Sequence, residues 1–125
     1  MVSEKEVLVF IVDDNVQGVT SISHYLENKG FKTAWAYNEE DAVSLFDHFK
    51  PDIVLMGITF HHTNGFEIAK KLSDAKIIFI TSHPEMIVEA KKTKGCLGVV
   101  EKPVDFKELT NMLRGIFKIP KPKFE

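Results

Sequence analysis

Cysteine is nearly missing from this chain. Cys96 is the only one among 125 residues, so no internal disulfide can form, which suits a reducing compartment. Cys96 itself reads as a small buried residue, because nothing basic and helical frames it to activate a thiol. An excess of one charge is missing too: 16 Lys and Arg face 18 Asp and Glu, for a formal net charge of -2. A nucleic-acid surface would need a clear basic excess. Long apolar runs are also missing. The first, "VLVFIV", is preceded by acidic residues and is too short for a secretory signal core or a membrane span. A soluble, cytoplasmic protein is expected. What is present is a core: hydrophobic residues make up 44% of the chain and include ten Phe, enough for one domain.

Apolar runs and helical spacing alternate along the chain. Val7 to Val12 is continuous, as in strands buried on both faces. Val16, Val19, Ile22 and Leu26 then recur at helical spacing, with Asn15 as N-cap and Gly30 as stop. Phe31 to Tyr37 reads as a partly exposed strand. Asn38 opens a helix with acids in its first turn and Ala42, Leu45, Phe46 and Phe49 on its inner side. Ile53 to Met56 is the third strand, Gly65 to Ser73 the third helix, and Lys76 to Thr81 the fourth strand. Pro84 begins a short helix to Thr93, and Gly98 to Glu101 is the last strand. Asp105 and Glu108 pair as N-cap and N3 of a last helix carrying Phe106, Leu109, Leu113 and Phe117. One domain over 1–118 is expected, then an extended tail over 119–125 with two prolines.

Five such alternations predict an α/β fold: a doubly wound parallel sheet with helices on both faces. Ligands in such folds meet the carboxyl ends of the strands. Asp13 and Asp14 follow strand one, Gly57 ends strand three, Thr81 and Ser82 follow strand four, and Lys102-Pro103 follows strand five. Two adjacent carboxylates repel, and a hard cation such as Mg²⁺ relieves that repulsion. A hydroxyl and an ammonium can donate to phosphoryl oxygens.

Taken jointly, Asp13-Asp14, Asn64-Gly65, Thr81-Ser82 and Lys102-Pro103 resemble the receiver domain of two-component response regulators, of the chemotaxis-receiver kind. The resemblance runs from about Val7 to Phe117. It implies a flavodoxin-like five-stranded sheet in the order 2-1-3-4-5, and a phosphorelay in which a sensor kinase phosphorylates an aspartate ending strand three. It also implies Mg²⁺ held by Asp13 and Asp14, with the backbone of Thr59 as a further candidate ligand. Thr81, Ser82 and Lys102 would form the phosphoryl pocket, and the Lys102-Pro103 bond would be cis. A protein partner, a histidine kinase or an output protein, would meet the fourth helix, fifth strand and fifth helix. No nucleic acid, no membrane and no enzymatic activity are expected.

The chain departs from that family at one decisive place. Gly57 stands at the acceptor aspartate's position and offers no nucleophile. It also removes a metal ligand, so Mg²⁺ binding should be weak or lost. Phe60 and His61 stand where the family often has Met and Pro, and Val99 where it often has an aromatic. Either the domain is a pseudo-receiver that has dispensed with phosphorylation, or it is an altered copy of a working one. Without a phosphoryl group to hold, Lys102 is expected to pair with an aspartate. The alternatives are a flavodoxin-like cofactor domain, a metal-binding domain or a metal-dependent phosphatase. The carboxylates after strand one would repel a cofactor phosphate, and the phosphatase too lacks its nucleophile. His61-His62 reads as an exposed polar loop, with metal binding the lesser reading.

Overall fold

Strands β3 (Ile53–Gly57) and β4 (Ile77–Thr81) are buried at every residue, and β1 (Leu8–Val12) at all but its first. That is why their sequences are unbroken apolar runs rather than alternating ones. The computed structural model describes residues 2–123; Met1 and the end of the expected tail, Phe124 and Glu125, lie outside the described residues. With β2 (Lys32–Ala36) and β5 (Cys96–Glu101), these strands form one parallel five-stranded sheet in the order β2-β1-β3-β4-β5.

Helices cover both faces. Helices α1 (Val16–Asn28) and α5 (Phe106–Phe117) lay Val19, Ile22, Leu26, Leu109 and Leu113 against Val9, Ile11, Leu55, Ile78 and Ile80. Helices α2 (Glu39–Phe49), α3 (Gly65–Lys70) and α4 (Ile87–Lys92) lay Ala42, Ile68, Ala69 and Ala90 against Phe10, Val54, Met56 and Phe79. Each fully buried leucine contributes about 1.5–3 kcal/mol relative to its exposed state. Asn15, Asn38, Asn64 and Asp105 each accept a hydrogen bond from the N–H three residues on, the capping expected of Asn15 and Asp105. Such caps are worth about 1 kcal/mol each. Gly30, with φ +99°, follows the end of α1 in a conformation that suits glycine.

Several boundaries differ from expectation. Helix α3 stops at Lys70 rather than Ser73, and the chain turns through Asp74 at φ 58°. Pro84–Met86 is a 3₁₀ turn, and α4 starts only at Ile87. Strand β5 begins at Cys96, not Gly98, because the register slips between Ile77 and Ile78 and leaves Leu97 as an extra residue. Phe49 points to solvent rather than inward. Ile119, expected to open the tail, is buried, and its N–H donates to the Arg114 carbonyl. A 3₁₀ turn at Glu4–Glu6 precedes β1, and Glu4 reaches the buried Arg114 of α5 at 3.1 Å.

Candidate functional site

Strand register builds the site. Val12 lies opposite Met56, so Asp13 emerges beside Gly57. Gly57 lies opposite Ile80, and Thr81 lies opposite Glu101, so Thr81 and Lys102 continue the same rim of the sheet. Gly65 closes the other side. A Cβ there would collide with the Gly57 carbonyl oxygen, so only glycine lets α3 start this close to the end of β3.

The expected residues meet unequally. Asp13 is buried at 8% exposure, and its Oδ2 accepts from Lys102 Nζ at 3.1 Å, the ion pair expected in the absence of a phosphoryl group. Asp14 and Ser82 are exposed. Thr81 is buried, and its Oγ1 accepts from the His83 N–H at 2.9 Å, so the hydroxyl is engaged with its own turn. Thr59 forms an isolated bridge with Asn64. The Lys102-Pro103 peptide is cis. His61 and His62 are exposed, with ring centroids 4.8 Å apart.

The donor set falls short of a divalent-cation site. Mg²⁺ asks for near-octahedral oxygen coordination, usually met by one or two free carboxylates and several waters, so the freedom of the carboxylates decides. Among the described residues no cluster of three or more His, Cys, Asp or Glu could hold a metal. Asp13 has its two oxygens committed, Oδ2 to Lys102 and Oδ1 to the Asn15 N–H at 3.0 Å. The weak Mg²⁺ site expected from Asp13 and Asp14 therefore has one acid that is already paired and one facing solvent.

Two supports went unread in the sequence. The Asn15 N–H steadies Asp13, and an aspartate two residues before a helix cap is a recurrent turn that could have signalled it. The loop between β3 and α3 is clasped from α2: Glu39 accepts from Thr63 Oγ1 at 3.0 Å and from Lys71 Nζ at 2.6 Å. The Lys71 hydrogen bond, followed by that of Thr63, holds the Glu39 carboxyl below its ordinary range. These partners lie 24 and 32 residues away, with no spacing to mark them. On edge strand β5, Cys96 is half-buried rather than buried as expected, and what burial it has pushes its thiol up, in keeping with an unreactive residue.

Comparison with known proteins agrees with this geometry. The family model described as response regulator receiver domain matches residues 9–114. Protein PilH of Pseudomonas aeruginosa is 31% identical over 115 residues, covering 86% of this chain and 95% of its own length. The positive alginate biosynthesis regulatory protein of the same organism is 35% identical over 83 residues, and there the chain spans only 33% of the relative's length. Among solved structures, a two-component response regulator from Clostridium difficile superposes with a TM-score of 0.83 at 22% identity, covering 90% of this chain and 96% of that one. The chemotaxis protein CheY4 of Vibrio cholerae gives 0.77 at 22% identity, covering 88% of this chain and 98% of that one. At such identities the structural likeness speaks for the fold.

Proposed function

The chain belongs to the response regulator receiver domain family, and from that premise we propose that it acts as a pseudo-receiver: a module that regulates a protein partner by contact and takes no phosphoryl group at residue 57. It is a receiver domain of two-component signalling. Receiver domains are signalling modules, typically not enzymes, and response regulators interact with histidine kinases and output proteins. The observation that carries the proposal is Gly57 ending β3 beside Asp13, where the family resemblance puts the acceptor carboxylate. Covalent phosphoryl capture needs a nucleophilic side chain, and glycine has none.

Receiver domains generally bind Mg²⁺ at the acidic pocket. When bound, the ion neutralises charge on phosphoryl oxygens. In this chain the paired Asp13 and solvent-facing Asp14 do not fit that group, so no step is assigned to it. Lys102 instead neutralises Asp13, and Thr81 caps its own turn.

The partner face we assign is α4, β5 and α5. Val88 and Leu97 are exposed there at 64% and 47%, and Ile87 and Val99 line a shallow hollow with Lys91 and Glu101. The near balance of 16 basic and 18 acidic residues favours a protein partner over nucleic acid. No helix among the described residues is long and apolar enough to cross a membrane. A cytoplasmic setting is part of the same proposal.

Acetyl phosphate with Mg²⁺, added to this chain and to Gly57→Asp, tests the first part. Intact mass should show a phosphoryl adduct on the variant alone; an adduct on the native chain would refute the reading. For the partner face, a kinase or output protein that binds the chain should slow amide exchange between 87 and 101. Protection confined to α1 and β2 would move the interface elsewhere.

A further inference from the structure

Two contacts and one steric exclusion meet on the carboxylate of Asp13. Its Oδ2 accepts from Lys102 Nζ at 3.1 Å, and its Oδ1 accepts from the Asn15 N–H at 3.0 Å. A Cβ built on Gly57 would lie 2.7 Å from that same Oδ2 and 2.9 Å from Asp13 Cγ, nearer than real Cβ atoms come. So the Asp13 carboxylate stands in the space that any side chain at 57 would take. A side chain there would push on the very oxygen that Lys102 holds, and turning the carboxylate aside would break the bond to Asn15 as well.

The pair also crosses the sheet. In the order β1-β3-β4-β5, the strands bearing Asp13 and Lys102 are three intervals apart. That is about 14 Å at the usual strand spacing. The long lysine side chain must reach back over the ends of β4 and β3, and it meets Asp13 above the backbone of Gly57. Asp13 is buried and Lys102 half-buried. Splitting such a pair leaves a charge with neither its partner nor full hydration.

We propose that Gly57 is the permissive element of an internal latch. The missing Cβ lets Asp13 settle over the end of β3 and hold Lys102, tying β1 to the start of the β5–α5 connection without any covalent modification. The latch fixes one arrangement of the pocket, and Thr81, bonded to its own turn, belongs to the same arrangement. This rests on the reading that residue 57 takes no phosphoryl group.

A double-mutant cycle on the whole chain tests the latch. Gly57→Ala should lower Tm by several degrees while Asp13 is present. In an Asp13→Ala background the same change should leave Tm level or raise it, since alanine is favoured over glycine within a strand. Equal effects of Gly57→Ala in the two backgrounds would overturn the latch. Should Asp13→Ala not fold, amide exchange at Asn15 decides. Gly57→Ala should speed that amide while its neighbours in α1 keep their rates; an unchanged Asn15 rate would refute the proposal. An adduct on Gly57→Asp combined with an additive cycle would sink the latch and spare the pseudo-receiver reading. An adduct on the native chain, with the sign of the Ala effect reversed between backgrounds, would do the opposite.

Discussion

The two faces of the sheet are anchored unequally. On one, α1 and α5 run 13 and 12 residues, and each buries large side chains, Ile22 and Leu26 from one and Leu109 and Leu113 from the other. On the opposite face α3 and α4 have six residues each, and α4 buries only Ala90. A helix held by two leucines moves only if the core opens. A helix whose one fully buried side chain is an alanine, with Ile87 only half-buried, can shift or fray at smaller cost. The exposed Val88 and Leu97 lie on or next to α4. Within the surface assigned to partner contact, α4 is thus the part that packing leaves freest to respond, as low-stability elements usually are at sites of regulation, while α5 stays fixed to the core.

The largest test of that contrast removes an anchor from the strong face. Leu113→Ala should cost about 2–5 kcal/mol. Chemical denaturation reads the loss, and native-state hydrogen exchange shows where it falls. Amides of α5 open with the whole domain, so their protection should drop with global stability. Amides of Ile87–Lys92 open locally and should keep their native rates. If α4 proves as protected as α5 in the native chain, the contrast between the faces fails.

The sequence made the strong face legible and the weak face less so. Val19, Ile22, Leu26, Leu109 and Leu113 recur at helical spacing because a long helix must place a stripe on the core, and burial followed that spacing. Short helices carry too few turns to show a period. The helix predicted to Ser73 therefore ran past its true end, and the one predicted from Pro84 hid a 3₁₀ turn. The β-bulge at Cys96–Leu97 escaped for a similar reason: register belongs to two strands, and one sequence segment does not state it. The strand-end residues Asp13, Gly57, Thr81 and Lys102 were legible because a parallel sheet brings its carboxyl ends to one rim whatever the loops do. What lay beyond sequence was occupancy. That Asp13 fills the space over Gly57, and that Glu39 clasps Thr63, depends on side-chain positions across long separations.

The weak face makes up for its sparse apolar anchors with charge, and this gives the smallest and most specific test. Glu39, at the start of α2, receives Lys71 Nζ from the turn after α3 at 2.6 Å and Thr63 Oγ1 from the loop before it at 3.0 Å. The hydrogen bond from Lys71 chiefly, and that from Thr63 next, lower the Glu39 pKa from its ordinary 4.5. A carboxylate whose pKa is lower folded than unfolded stabilises the fold in its ionised form. Its contribution is complete above the unfolded value and drains away as pH falls through the lowered folded value. Glu39→Gln keeps an acceptor for Thr63 and loses the charge that Lys71 meets. Its Tm should therefore trail the native chain near neutral pH, and the two curves should converge in acid. The gap should be small, and it should narrow in high salt because the pair faces solvent. A gap that persists unchanged below the folded pKa would mean that shape rather than charge holds α2 to α3, and the contrast between an apolar face and an electrostatically clasped one would lose its basis.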